Sequence, residues 1–143
     1  ALTREMQRIK GGPLLKAILQ HSVDKAKGQL KPERRRMYAY AGHDSTVSNL
    51  LITLGAWDTQ IPNYGILVLV ELHEDPATHQ HGIKLFLRNS TDVPPYPLEV
   101  RGCGHFCPLE ELIKITEDVM PVSVQSACQA KDPNYTPPPP SGP

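Results

Sequence analysis

The chain has 143 residues, enough for a single domain with a real core. Fifteen Lys and Arg balance fifteen Asp and Glu, so no net field recruits nucleic acid or an acidic membrane surface. No apolar run approaches the roughly 18 residues of a spanning helix, and no stretch of the given sequence reads as a signal peptide.

Leu2, Met6 and Ile9 recur at helical spacing from the first residues, so the sequence opens inside a helix and reads as part of something longer. Gly11-Gly12 interrupts that pattern, and Pro13 suits the first turn of a new helix. Leu14, Leu15, Ile18, Leu19 and Val23 line its apolar face, and it should stop near Gly28. Lys31, Arg34, Arg35 and Arg36 then form a basic stretch, read as the solvated approach to a strand. Met37 to Ala41 is apolar on both faces, as a strand of a parallel sheet requires. Val47, Leu50, Leu51 and Leu54 follow as a helix that Gly55 closes. Asp58 to Gly65 is a loop; Trp57 before it is expected to anchor the loop in the core rather than serve as a substrate platform, and Tyr64 is expected to pack, with lining the crevice as its alternative.

Ile66 to Leu72 is a continuous β-rich run. After a polar connection, Ile83, Leu85 and Leu87 alternate with Lys84, Phe86 and Arg88, which predicts a half-buried strand antiparallel to the one before. Residues 89–108 read as a loop rich in Pro and Gly. Pro108 opens a last helix with Leu109, Leu112 and Ile113 inward. Residues 1–130 make up the folded part, and 131–143 form a proline-rich tail, extended or disordered. The class is α/β with a mixed sheet, of which three strands are legible.

Cys103 and Cys107 lie four positions apart around Gly104, within reach of a bridge across a turn. Cys128 is left as a free thiol or as half of a bridge to a segment outside this chain. Asn89-Ser90-Thr91 is an N-glycosylation sequon, and Asn134-Tyr135-Thr136 a second one weakened by Pro137. Sequon, short-loop bridge and proline-rich end together favour an oxidising, secretory compartment.

The chemistry concentrates in Tyr40-Ala41-Gly42-His43-Asp44-Ser45-Thr46-Val47. An apolar run ends in glycine, delivers two titratable side chains, and passes into a helix. In open α/β sheets ligands collect beyond the carboxyl ends of strands, and a helix N-terminus there favours anions. A capping role for Asp44 or Ser45, with His43 against the sheet edge, is compatible with such a site. His73, His79 and His81 suggest a metal cluster less well than a polar hairpin loop. Cys103, His105 and Cys107 are spaced more tightly than zinc ligands usually are.

That segment resembles the second signature of the histidine acid phosphatases, the branch with the prostatic and lysosomal enzymes. Gly11-Gly12-Pro13-Leu14, Pro62-Asn63-Tyr64, Glu71-Leu72, Arg88-Asn89-Ser90-Thr91, Pro95-Tyr96-Pro97-Leu98 and Gly102-Cys103-Gly104-His105-Phe106-Cys107-Pro108-Leu109 resemble further family segments, in the family's order. The resemblance runs over about residues 8–128. The other family signature, Arg-His-Gly-x-Arg-x-Pro, does not occur in the chain, and Gly42 stands where close relatives usually have alanine.

The resemblance implies part of a three-layer α/β/α core with a mixed, mainly parallel sheet, like that of the phosphoglycerate mutases. It also implies phosphomonoester hydrolysis through a phosphohistidine formed on the absent signature. Asp44 would donate the proton to the leaving oxygen, His43 would bind phosphate, and Ser45 and Thr46 would sit beside them. It further implies a Cys103–Cys107 bridge, a bridge from Cys128 to the amino-terminal half, and a glycan on Asn89. No metal or other cofactor is required. The expected partners are a small phosphomonoester or a phosphoprotein, and a second copy through the absent half. The sequence leaves open a membrane anchor after the tail. Two rival readings share the scaffold: a non-catalytic secreted glycoprotein and an inositol-polyphosphate phosphatase.

Overall fold

The protein is described here by a computed structural model that covers residues 3–58 and 60–140. Leu2, Thr59 within the 58–65 loop and the last three residues of the tail lie outside the described residues.

Helix α1 (Arg4–Lys10) starts on Thr3, whose hydroxyl accepts from the Met6 amide at 3.2 Å. Gly11 alone separates it from α2 (Gly12–Ala26), which buries Leu15 and Leu19 and carries Pro13 in its first turn. α3 (Asp44–Thr53) buries Leu50, Leu51 and Thr53, and Gly55 follows it at φ 65°, the left-handed stop that glycine permits. α2 and α3 bring Leu15, Leu19, Leu50, Leu51 and Leu54 into one core with the sheet.

The sheet is a hairpin with two short additions. β1 (Leu67–Glu74) and β2 (His81–Arg88) pair antiparallel along their whole length, from Leu67 opposite Arg88 to Glu74 opposite His81. The alternation read from the sequence is borne out: Ile83, Leu85 and Leu87 are buried, and the residues between them only half so. β3 (Tyr96–Leu98) and β4 (Cys107–Pro108) lie end to end along the other edge of β2. Both fall inside the stretch expected to be loop. Their ladders are two or three residues long, and Pro97 sits in one of them at a sheet edge, where a missing amide is tolerated.

Every pairing among the named strands is antiparallel. Met37 to Ala41 does not form the expected strand. The segment carries no strand assignment and pairs with nothing among the described residues, and Met37 is 79% exposed. A run apolar on both faces needs strands beside it before it can become sheet, and the described residues offer it none. β1 likewise has an unpaired outer edge among the described residues. The molecule is thus a partial α/β fold whose present sheet is the antiparallel portion.

Cys103 and Cys107 are bridged, with Cα atoms 5.2 Å apart, and Cys107 is fully buried. α4 (Leu109–Ile115) buries Leu109 and Leu112 but leaves Ile113 43% exposed, against expectation. Buried Thr116 and Val119 continue the inner stripe beyond the helix and rotate position 113 outward. A 3-10 turn (Glu117–Val119) and α5 (Val124–Ala127) complete the elements. Arg8 donates to the Asp118 carbonyl at 2.8 Å, Lys16 to those of Pro121 and Val122, and Arg4 pairs with Asp118 at 3.1 Å. These bonds strap the carboxyl-terminal segment onto α1 and α2. Residues 131–140 are exposed and carry neither helix nor strand.

Candidate active site

His43 is the N-cap of α3, with extended backbone (φ −89°, ψ 166°), and Asp44 is its first helical residue. The turn is held locally. The His43 amide donates to Thr46 Oγ1 at 3.3 Å, and the Thr46 and Val47 amides donate to the His43 carbonyl at 3.0 and 3.3 Å. This is the reciprocal half of a capping box, with threonine in the place usually taken by Glu or Gln. The Asp44 carboxylate accepts from the Ser45 amide at 2.6 Å, and Ser48 Oγ donates to the Asp44 carbonyl at 3.0 Å. A carboxylate in the first turn complements the helix dipole.

Gly42 belongs to the same device. A Cβ there would lie 3.0–3.1 Å from three atoms of the Thr46 side chain, so glycine lets Thr46 fold down over the turn. His43, Asp44, Ser45 and Thr46 are all solvent-exposed. The structure therefore brings together the four residues singled out by the sequence, on an open surface at one helix end. His43 does not rest on a sheet edge, because the strand expected there is unpaired. Two surface depressions, one bordered by Cys128, Lys131 and Tyr135 and one by Arg8, Asp118 and Ser126, lie on other segments.

The polypeptide leading to His43 is held by α2 in a way the sequence reading missed. The His21 ring stacks on Tyr38 at 4.0 Å and 11°, and Tyr40 follows Tyr38 at 6.4 Å and 14°. The Arg35 guanidinium lies 5.1 Å over the Tyr38 ring, and Lys25 donates to the carbonyls of Glu33 and Arg35. Burial, with Tyr38 beside it, pushes the Tyr40 phenol above its ordinary value. One signal was available: His21 and Lys25 continue the stripe of Leu14 and Ile18 at helical spacing.

The remaining candidates are dispersed. Histidines 73 and 79 each meet a carboxylate at 2.7 Å, Glu71 and Glu74 respectively, and His81 lies 3.8 Å from Glu74. His105 faces Glu99 at 3.3 Å beside the disulfide. Trp57 packs partly against the core as expected, whereas Tyr64 is fully exposed and neither packs nor lines a crevice. Cys128 is exposed and unbridged. The Asn89 side chain is engaged with the 60–63 loop.

Sequence comparison places these elements in a family. Residues 1–88 match the model of the histidine phosphatase superfamily, branch 2. The prostatic acid phosphatase of Rattus norvegicus is 32% identical over 126 residues, which is 87% of this chain and 32% of the relative. The lysosomal acid phosphatase of Homo sapiens is 30% identical over 125 residues, 87% of this chain and 29% of the relative. The venom acid phosphatase Acph-1 of Apis mellifera is 28% identical over 126 residues, 88% and 32% respectively. The chain spans a little under a third of the length of the curated relatives it matches. On the extent of the family match, backed by these relatives, the chain belongs to branch 2 of the histidine phosphatase superfamily.

Proposed function

We propose that this chain is the proton-donor portion of an acid phosphatase that hydrolyses phosphomonoesters through a phosphohistidine intermediate. The observation that carries the reading is the His43-Asp44 pair, side by side and exposed on the first turn of α3. An imidazole at a helix N-terminus suits a phosphate, and a carboxyl one residue on can reach a leaving-group oxygen of the same ester.

In the first step a histidine of the Arg-His-Gly-x-Arg-x-Pro signature attacks phosphorus while Asp44 protonates the departing alkoxide. In the second, Asp44 takes a proton from water as water displaces the histidine. His43 holds phosphate oxygens throughout, and the Thr46 hydroxyl keeps the His43 backbone in register. The chain contains no Arg-His-Gly-x-Arg-x-Pro sequence, so the 143 residues by themselves should not turn over substrate. The pairing of Cys128 with a cysteine outside this chain, a glycan on Asn89 and passage through the secretory route belong to the same reading. Support for them comes from the Cys103–Cys107 bridge and from a relative named as lysosomal.

Asp44→Asn in the parent protein should lower kcat by about 10²–10⁴-fold and leave inhibition by inorganic phosphate nearly unchanged. Equal turnover in variant and parent sinks the assignment, as does measurable turnover by the isolated chain.

A further inference from the structure

The side chain of Asn89 is fully occupied. It leaves the end of β2 and meets the loop that follows α3. Its Oδ1 accepts from the Asn63 amide at 3.0 Å, and its Nδ2 donates to Gln60 Oε1 at 2.8 Å and to the Ile61 carbonyl at 3.2 Å. An Asn amide has two N–H donors and a carbonyl acceptor, and each is in use here. Gln60 passes the connection on, donating from Nε2 to the Tyr96 hydroxyl of β3 at 3.0 Å. Two residues along, the Thr91 methyl sits over Gly65, where a Cβ would come within 2.8 Å of it. Both ends of the Asn89-Ser90-Thr91 sequon therefore touch the 60–65 segment.

We propose that Asn89 is the latch that closes the 60–63 loop onto the end of the sheet, and that a sugar on its Nδ2 opens the latch part-way. Glycosyl transfer replaces one Nδ2–H bond by a bond to the sugar C1, and the proton leaves with the pyrophosphate of the lipid-linked donor. One N–H then remains for two acceptors, Gln60 Oε1 and the Ile61 carbonyl. The Asn63 bond, made to Oδ1, survives. The bare and the sugar-bearing chain thus differ in how firmly the loop after α3 is held, whatever chemistry occurs at Asp44.

The test is amide hydrogen exchange over residues 60–66, read residue by residue, on the chain made without glycosylation and on its sugar-bearing fraction from a secretory host. In the bare chain, Asn89→Ala should speed exchange in this segment by about 10- to 100-fold, since three hydrogen bonds are lost. Thr91→Val, which destroys the sequon and keeps the methyl over Gly65, should leave exchange unchanged. The sugar-bearing chain should exchange at an intermediate rate, with the Asn63 amide still protected. If Asn89→Ala does not fold, Asn89→Asp carries the test: it keeps the acceptor for Asn63 and loses both donors. Exchange in the alanine or aspartate variant as slow as in the parent overturns the latch. Exchange in the sugar-bearing chain as slow as in the bare one overturns its opening by carbohydrate.

Discussion

Replacing Gly11 by alanine puts a methyl group at the crossing of α1 and α3. The new Cβ would lie 2.6 Å from the Asn49 carbonyl oxygen and 2.9 Å from Thr53 Cβ, and nearer still to Thr53 Oγ1. Thr53 could rotate, but the Asn49 oxygen is backbone and already accepts from Thr53 Oγ1 at 2.7 Å. Ordinary contact begins at 3.4 Å, so the helices must part by roughly 0.8 Å, an overpacking that costs about 1–3 kcal/mol. Alanine accepts the local backbone, φ −107° and ψ −30°, and its stiffer unfolded chain returns about 0.4–1 kcal/mol. At the middle of both ranges the net is a loss of about 1.3 kcal/mol, which at this size lowers Tm by about 3–5 °C. Thermal melts followed by far-UV circular dichroism measure it. Thr53→Ala in the same background should restore only part of the loss, because the Asn49 oxygen stays. A neutral or stabilising Gly11→Ala refutes the crossing as described.

Three further outcomes test other parts of the molecule. Removing the Cys103–Cys107 bridge as a double serine variant should cost about 2 kcal/mol by urea titration, the loop-closure value for a five-residue ring; an unchanged midpoint contradicts it. Leu112→Ala should cost about 2–5 kcal/mol and Ile113→Ala no more than about 0.5 kcal/mol, and similar values for both would mean α4 is rotated from its observed orientation. The Lys131 ammonium, hydrogen-bonded to Glu5, holds that carboxyl below its ordinary value. A carboxyl depressed in the folded state favours folding above its unfolded pKa, and the benefit fades as pH falls through the folded value. Exchange protection of residues 124–135 should therefore drop in acid, and Glu5→Gln should remove that dependence; a flat parent profile refutes the link.

Legibility in the sequence followed how local each determinant is. The alternation of Ile83, Leu85 and Leu87 fixes face and period within one strand, and the β1–β2 hairpin was readable from it. The start of α3 at His43-Asp44 was readable because a glycine and a helical stripe meet at one point. Met37 to Ala41 misled for the complementary reason: an apolar run states a preference for sheet and says nothing about available neighbours. β3 and β4 owe their pairing to the exposed edge of β2, so Tyr96-Pro97-Leu98 carries no strand signal of its own. The stack of His21 on Tyr38 joins residues seventeen apart, and only the stripe of Leu14, Ile18 and Lys25 hinted at it. Ile113 was misplaced because the inner stripe of α4 continues past the helix into Thr116 and Val119.

The strap of α1 and α2 onto the carboxyl-terminal segment has a kinetic consequence. Its bonds join residues 105 to 114 apart, and the Glu5–Lys131 pair, at 2.6 Å, reaches further along the chain than any of them. Loop closure grows only with the logarithm of length, about 0.6 kcal/mol per doubling, so such spans are tolerable at equilibrium. They cost time instead, since contacts of high sequence separation slow the search for the native topology. The hairpin can form early from near neighbours, the α1–α3 layer needs contacts such as Thr53 on Gln7, 46 residues apart, and the strap closes last. A circular permutant that joins residue 131 to residue 4 through a short flexible linker turns the most distant contacts into local ones, and should fold faster at nearly unchanged stability.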